Sequence, residues 1–218
     1  RRPPRSTLFP YTTLFRSSVA LNSPMLYTLA FLIIFAIGGL TGVILGALSV
    51  DLHLHDTYFV VAHFHYVMMG SIALAFFAGL HHWWPKMFGK MYNETLAKLA
   101  CLIIFVGFNT TFLPQFIMGS RGMPRRYATY VPEFQAFHQA STVGVIMLAT
   151  GIALMVYYLV ASLFNGEKAK ENQWGGVTLD WHCPTPPPHL NFDHDPKVVH
   201  EVYDYSTLDL QSMQRDAT

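Results

Sequence analysis

Four apolar segments, each long enough to cross a bilayer, limit what this chain can fold into. They cover residues 24–50, 57–84, 93–118 and 135–164. A transmembrane helix needs about 20 mainly apolar residues. Soluble proteins contain about 25% charged residues, whereas only 12% of this chain is charged. The sequence therefore predicts an all-α, polytopic membrane helix bundle with four transmembrane helices within residues 18–164.

The charged residues are concentrated towards the end of the chain. Nine of the 13 acidic residues lie at or after Glu167, so residues 165–218 are predicted to form a polar C-terminal tail. The tail contains Trp174, Trp181 and a proline-rich run at 184–188, and we expect it to dock on the membrane domain rather than fold independently. No basic patch indicates nucleic-acid binding. One of the two cysteines lies in an apolar run and the other in the tail, which gives no reason to predict a disulfide.

Residues 1–17 differ in character from the rest of the chain. The segment is basic, and its apolar run is too broken for a signal peptide. Its sequence TLFPYTTLFRS resembles one translated frame of a sequencing adapter. We interpret residues 1–17 as a non-native, adapter-derived segment and assign them no function.

The strongest functional signal is the stretch 51–66, DLHLHDTYFVVAHFHY. It holds four of the 11 histidines and two aspartates in apolar surroundings, and an ionisable side chain within a bilayer by default marks a functional site. Two residues of a helix turn through about 200°, so His63 and His65 would point to opposite sides and hold two separate metal centres. Imidazole is a good axial ligand for haem iron, which favours one helix between two haems. The alternative is a pair of hydrogen-bonded core histidines.

Polar residues on either side of the second and third apolar segments predict two further sites. The first is a short polar turn with Asp51, His53, His55 and Asp56. Its carboxylates and imidazoles suit a divalent ion. The second is a loop, 119–134, with Arg121, Arg125 and Arg126. Adjacent guanidiniums can clamp carboxylates, and two crossings place both loops on one side of the membrane. The alternative for the arginines is a role in membrane orientation.

Several residues within the segments carry smaller structural predictions. Small residues recur every four positions at Gly38, Gly42 and Gly46, which predicts close helix packing. Asn109 can form a hydrogen bond across helices, and Pro114 is expected to kink or end its helix. The run 81–85, HHWWP, is typical of an aromatic belt at the membrane interface. For His138 we expect an ordinary polar contact rather than a ligand role.

Taken together, HDTYFVVAHFHY and the later GMPRRY resemble subunit I of the haem-copper terminal oxidases, the cytochrome c oxidase family. The resemblance runs from about Leu29 to Phe164 and implies a bacterial-type chain that forms the C-terminal third of a twelve-helix subunit. It implies that His63 is the axial ligand of the oxygen-binding haem and His65 one of two axial ligands of the low-spin haem. The other implied site residues are His55 and Asp56 for magnesium or manganese, and Arg125, Arg126 and Asp51 around the haem propionates.

The same resemblance implies a function. This is the reduction of O2 to water with electrons from cytochrome c, coupled to proton translocation, in the bacterial inner membrane with the tail in the cytoplasm. The implied cofactors are two haems of the A type, magnesium or manganese at the boundary with subunit II, and copper, whose ligands would lie upstream of this chain. The implied partners are subunit II, other oxidase subunits, cytochrome c, O2 and membrane lipid.

Three alternative functions stay open. A quinol oxidase of the same superfamily shares the histidine and arginine motifs, and a non-catalytic membrane haem protein would only transfer electrons. A helix bundle without a cofactor is the third. Because the copper ligands and the second low-spin haem ligand would lie upstream, we expect the 218-residue chain alone to be inactive.

Overall fold

The computed structural model describes residues 19–192 and residue 196 as a helical bundle. Residues 1–17, interpreted above as non-native, lie outside the described part, as does most of the tail after residue 192. The elements are α1 (Ser23–Leu45), α2 (Leu48–Leu54), α3 (Tyr58–Phe88), β1 (Lys90–Met91), α4 (Glu94–Ser120), α5 (Gln135–Asn165), β2 (Glu167–Lys168) and α6 (Leu179–His182). Helices α1, α3, α4 and α5 are long and apolar enough to cross a membrane, which confirms the predicted four-helix bundle.

Capping residues explain where two of the long helices begin and where one ends. The Asn93 side chain accepts a hydrogen bond from the Leu96 N–H at 3.0 Å at the start of α4. The Thr57 hydroxyl accepts one from the Phe59 N–H at 3.2 Å at the start of α3. Such caps satisfy backbone donors that have no partner within the helix. Gly89 ends α3 with a φ of 64°, a left-handed conformation that glycine adopts at no steric cost.

The prediction of one unbroken apolar helix was wrong, and of the two outcomes expected at Pro114, a kink or an end, the structure excludes the end. The apolar segment 24–50 is not one helix, because α1 ends at Leu45 and α2 begins at Leu48. The predicted polar turn is therefore partly helical, since Asp51 belongs to α2. Pro114 does not end α4, which continues to Ser120. Proline is tolerated inside membrane helices where neighbouring groups satisfy the backbone carbonyl that it leaves free.

Helix α3 contains a π-helical segment. This segment, His65–Ile72, separates two α-helical parts, Tyr58–Phe64 and Ala73–Phe88. In a π-helix each backbone hydrogen bond reaches one residue further than in an α-helix, and such turns occur frequently at functional sites. The apolar pattern alone predicts an ordinary α-helix here, so the π turn is a difference from the sequence prediction.

Helices α1 and α3 approach each other closely at two glycines. A Cβ atom at Gly38 would lie 3.0 Å from Val67 Cγ2, and one at Gly42 would lie 2.8 Å from His63 Cε1. Gly46 follows the end of α1, and a Cβ atom there would meet only carbonyl oxygens of that helix. Close helix packing is therefore confirmed for Gly38 and Gly42 and wrong for Gly46.

A polar contact links α3 to α4 within the apolar core. The Tyr66 hydroxyl donates to Asn109 Oδ1 at 2.8 Å, which confirms the predicted cross-helix role of Asn109. Hydrogen bonds between membrane helices contribute about 0.6 kcal/mol on average. The core around this contact includes Tyr27, Ile34, Tyr66, Leu74, Phe108 and Phe112. Together these contacts fix the level at which α3 crosses α4.

The described part of the tail packs on the end of α3. The Lys86 ammonium is buried and donates to the carbonyl oxygens of Glu171 and Cys183 and to the Thr185 hydroxyl. It also lies 5.7 Å from the centre of the Trp181 ring. Carbonyl dipoles and an aromatic face thus replace water around a buried cation. The β1–β2 pair joins the same two regions of the chain, as expected for a docked segment.

Candidate functional site

His63 lies where α3 packs against α1. Its Nδ1 is 3.0 Å from the Gly38 carbonyl oxygen and 3.2 Å from Thr41 Oγ1, and Gly42 provides the space for its ring. A carbonyl oxygen can only accept a hydrogen bond, so Nδ1 carries the proton and Nε2 keeps a free lone pair. The ring is therefore held in a tautomer that can bind a metal through Nε2.

His65 lies where α3 packs against α4. Its Nδ1 donates to the Val61 carbonyl oxygen at 2.8 Å, one turn earlier in the same helix. The ring stacks on Phe112, with 4.3 Å between the ring centres and 18° between the ring planes. The Phe64 ring lies 4.5 Å away. Since the carbonyl takes the Nδ1 proton, Nε2 is again the atom that can bind a metal.

The two rings contact different neighbouring helices, in agreement with the prediction that His63 and His65 point to opposite sides of α3. Both side chains are half-buried. Each uses Nδ1 to bind a backbone carbonyl, the arrangement usual for metal-binding histidines. Neither Nε2 has a hydrogen-bond partner in the described part of the chain. These features fit axial ligands of haem iron better than two core histidines whose hydrogen bonds are satisfied.

Arg125 joins the two loops at one end of the bundle. Its guanidinium forms an ion pair with Asp56, and its backbone N–H donates to the Asp56 carbonyl oxygen at 2.9 Å. The Tyr58 N–H likewise donates to the Met123 carbonyl oxygen at 3.0 Å. The prediction that both loops lie on one side of the bundle is confirmed. Within the described residues, Arg125 Nε is buried and has no partner, so the guanidinium has a donor left for another anionic group.

The ion pair also changes the acidity of Asp56. The hydrogen bond from Arg125 holds the pKa of the Asp56 carboxyl below its ordinary value. A lowered pKa in the folded state means that the pair contributes stability above the ordinary pKa. This contribution is lost as the pH falls through the lowered pKa. Arg126 is exposed, with a φ of 71°, so Arg125 is the member of the predicted arginine pair that contacts Asp56.

His55 connects Asp51 and Asp56 only loosely. Its Nδ1 lies 3.8 Å from Asp51 Oδ2, and its Nε2 lies 3.6 Å from Asp56 Oδ2. Its side chain is 68% exposed. Within residues 19–192 no group of three or more histidine, cysteine, aspartate or glutamate side chains is arranged to hold a metal. A metal on His55 and Asp56 therefore needs ligands from elsewhere, as a site at a subunit boundary would.

The two histidines of the predicted interface belt are both engaged within the protein. His81 is fully buried; its Nδ1 lies 2.6 Å from the Phe77 carbonyl oxygen, and its Nε2 contacts the Tyr158 hydroxyl. The His82 ring contacts Trp181 of the tail, with 5.1 Å between ring centres. Both histidines thus have partners within the protein, and the interface position of the run 81–85 stays a prediction. In the sequence, both histidines are surrounded mainly by apolar residues. Their roles become visible only in the structure, where His81 contacts Tyr158 on another helix and His82 contacts the tail.

Comparisons with known proteins give a consistent result. A family model described as cytochrome c and quinol oxidase polypeptide I matches residues 7–147. Cytochrome c oxidase subunit 1 of Synechocystis sp. is 44% identical over 206 residues, which cover 94% of this chain and 37% of that protein. Cytochrome c oxidase subunit 1 of Bacillus sp. (strain PS3) is 43% identical over 189 residues, which cover 85% of this chain and 31% of that protein.

A solved structure shares the fold. The cryo-EM structure of a heme-copper terminal oxidase dimer superposes with a TM-score of 0.62 at 28% sequence identity. The match covers 76% of this chain and 31% of that one. This chain thus spans about a third of the length of the proteins that it matches.

Proposed function

The chain belongs to the cytochrome c and quinol oxidase polypeptide I family, and we propose that it forms part of the catalytic subunit of a terminal respiratory oxidase. The proposed reaction is the reduction of O2 to water with electrons from cytochrome c, coupled to proton translocation. It is an activity of the whole subunit, of which this chain spans about a third. The observation that supports it most is the pair His63 and His65, whose rings face different helices and keep Nε2 free.

In this proposal His63 binds the oxygen-binding haem and His65 the low-spin haem. When bound, the haems and copper supply the electron-transfer and oxygen chemistry. The contribution of this chain is to hold the ligands. The Gly38 carbonyl orients the His63 ring, and the Val61 carbonyl and the Phe112 ring orient that of His65. An outer hydrogen bond of this kind fixes the ligand and raises its basicity.

We propose that Arg125 and Arg126 hold the haem propionates, with Asp51 nearby. Carboxylates near a low-dielectric interior need a positive partner, and Arg125 Nε is a buried donor without one in the described residues. Arg125→Gln removes positive charge near the haem, which makes the addition of an electron less favourable. We expect a lowered haem midpoint potential or slower turnover, measured by spectroelectrochemical titration and oxygen uptake.

The matched control for this prediction is Arg121→Gln. Arg121 lies in the same loop, is exposed, and contacts Glu133 at 3.9 Å, so its loss should leave the haem potentials unchanged. Arg125→Lys keeps the positive charge but lacks the planar fork of donors, so we expect a smaller effect than in Arg125→Gln but not the wild-type values. Wild-type potentials and rates in both Arg125→Gln and Arg126→Gln would instead favour a role of the arginines in membrane orientation.

We propose that His55 and Asp56 bind magnesium or manganese together with a group from subunit II. Asp56→Asn removes the carboxylate charge, so we expect less bound manganese in enzyme from cells grown with this metal, measured by electron paramagnetic resonance. Arg125→Gln breaks the same ion pair but keeps the carboxylate, and it should retain the metal. Unchanged manganese occupancy in Asp56→Asn rejects the site.

The chain is a membrane protein with four spanning helices, and its location and assembly follow from the family as proposals. We place it in the bacterial inner membrane, with the arginine loop outside and the tail in the cytoplasm. Its partners would be subunit II, the other oxidase subunits and the surrounding lipid. The haems are proposed to be of the A type, with the copper ligands supplied by another part of the subunit.

Two assays on the complete oxidase separate the proposed function from its alternatives. The named relatives are cytochrome c oxidases, so oxygen uptake with reduced cytochrome c should exceed uptake with a quinol. The reverse ratio identifies a quinol oxidase. Carbon monoxide should bind the reduced enzyme, because oxygen reduction needs an open iron position. A non-catalytic electron-transfer protein would not bind it.

A further inference from the structure

The π-helical segment of α3 begins at His65, the second of the two candidate haem ligands. It separates the α-helical part Tyr58–Phe64, which carries His63, from the α-helical part that ends at Phe88, and His65 is its own first residue. The lower part is tied to the rest of the protein by the Trp84–Ser162 hydrogen bond of 2.9 Å and by the Lys86 contacts with the tail. These contacts hold the part of α3 that ends at Phe88 in place. The π turn therefore sets how far the histidine-bearing end of α3 is rotated relative to that part.

A serine hydroxyl marks this turn. Ser71 is almost fully buried, and its Oγ donates to the Tyr66 carbonyl oxygen at 2.6 Å, five residues earlier. In α-helices, serine and threonine hydroxyls bond to carbonyls three or four residues earlier. Six threonine hydroxyls on the described long helices follow that rule, namely those of Thr28, Thr41, Thr110, Thr111, Thr142 and Thr150. The Ser71 bond thus matches the π register and not the α register.

The carbonyl that accepts this bond belongs to the residue next to His65. The Tyr66 side chain is itself fixed, because it is fully buried and its hydroxyl donates to Asn109 Oδ1 at 2.8 Å. Gly70 completes the turn, since a Cβ atom there would lie 2.5 Å from Ile34 and 2.6 Å from Phe108. The π turn is thereby held by a hydroxyl within α3, a polar contact to α4 and a close fit against α1.

A change from the π to the α register would shift the two parts of α3 by one residue. In an α-helix one residue corresponds to about 100° of rotation and 1.5 Å of rise. With the lower part fixed, such a shift would turn both histidines away from their present neighbours, Gly38 and Phe112. Retention of the π register is thus a condition for the ligand geometry described above.

We infer that Ser71 is a positioning residue for the haem ligands: its hydroxyl holds the π turn at Tyr66 and so sets the orientation of the His65 ring, and through it that of His63. The Ser71 hydroxyl donates to the Tyr66 carbonyl and not to a histidine ring. The inference rests on the proposed function of His65 as a haem ligand. It adds a determinant of ligand orientation outside the histidine and arginine motifs.

The test is Ser71→Ala in the complete oxidase, with electron paramagnetic resonance of the oxidised low-spin haem as the readout. The g values of such a haem depend on the orientation of the axial imidazole planes. We expect haem content to be retained while the low-spin g values shift or split into two populations. We expect Ser71→Thr, which keeps the hydroxyl, to give the wild-type signal.

Ser141→Ala is the matched control, because Ser141 is also buried and donates to a backbone carbonyl, that of Thr111, at 2.8 Å. Its g values should not change.

A wild-type signal in Ser71→Ala overturns the inference, as does an equal shift in Ser141→Ala. If Ser71→Ala does not assemble, Ser71→Thr decides: a wild-type signal supports the inference, and a shifted signal rejects it. His65→Ala, measured in parallel, distinguishes the two levels of the argument. If His65→Ala keeps the low-spin signal, the proposed ligand is wrong. If it loses the signal while Ser71→Ala is unchanged, only the positioning role fails.

Discussion

Replacing His65 with alanine in the complete subunit is expected to remove the low-spin haem signal while a haem that binds carbon monoxide remains. The His65 ring is held by the Val61 carbonyl of α3 and by stacking on Phe112 of α4. The ring therefore lies on the side of α3 that faces α4. No other histidine lies on this part of α3 except His63, whose ring faces α1. Loss of His65 therefore removes one ligand without a substitute. Optical spectra of the reduced enzyme, with and without carbon monoxide, measure the two haems separately.

His63→Ala is expected to give the opposite result. The His63 ring is held by the Gly38 carbonyl and Thr41, so its loss should abolish carbon monoxide binding and leave the low-spin signal. His53→Ala is the matched control, because His53 precedes the membrane helix, is exposed and has no proposed ligand role. Both haems should be unaffected in that variant. If either His63→Ala or His65→Ala leaves both spectra unchanged, the ligand assignment is wrong.

The four membrane helices were predictable because a bilayer imposes length and apolarity on each segment separately. For α4 and α5 the predicted and observed bounds differ by no more than two residues, because Asn93 and the loop residues before Gln135 mark the starts. The opposite placement of His63 and His65 was predictable for a similar reason. It depends only on the rotation per residue before the π turn begins. The placement of the two loops on one side followed from counting membrane crossings, whereas the ion pair between Arg125 and Asp56 did not.

What the sequence did not predict depends on contacts between distant residues. The π turn depends on Ser71 and Gly70 in α3 and on Asn109 in α4, which lies far from them in the sequence. Its apolar pattern is that of any transmembrane helix. The burial of Lys86 likewise requires carbonyl groups about 85 to 97 residues further along the chain, so the lysine appears in the sequence as an ordinary loop charge. The local feature that the sequence offers for the π turn is a glycine followed by a serine, Gly70 and Ser71, which begins five residues after the HFH motif.

The ligands present in the described chain set a limit on what it can do alone. Copper facing the oxygen-binding haem would need several imidazoles. His81 lies 16 residues after His65 in α3, which is about 24 Å along the helix, and its Nε2 is engaged by Tyr158. His82 lies against the tail, and the His138 ring packs on Tyr130 at 4.1 Å. No histidine trio in the described helices is therefore placed to face the His63 haem.

We therefore predict that the 218-residue chain, purified alone in detergent or lipid discs, has no oxidase activity and at most loose, high-spin haem binding. The low-spin haem would lack its second axial ligand. His65 supplies one imidazole, and no other histidine of the described residues reaches the His65 ring. Oxygen uptake with reduced cytochrome c, together with copper and haem analysis, measures this directly. The matched control is the same chain with His63→Ala and His65→Ala, which should lose even the loose haem binding. Oxygen uptake above that control, with copper bound in a one-to-one ratio, would overturn both the count of ligands and the proposal that the copper site is built by another part of the subunit.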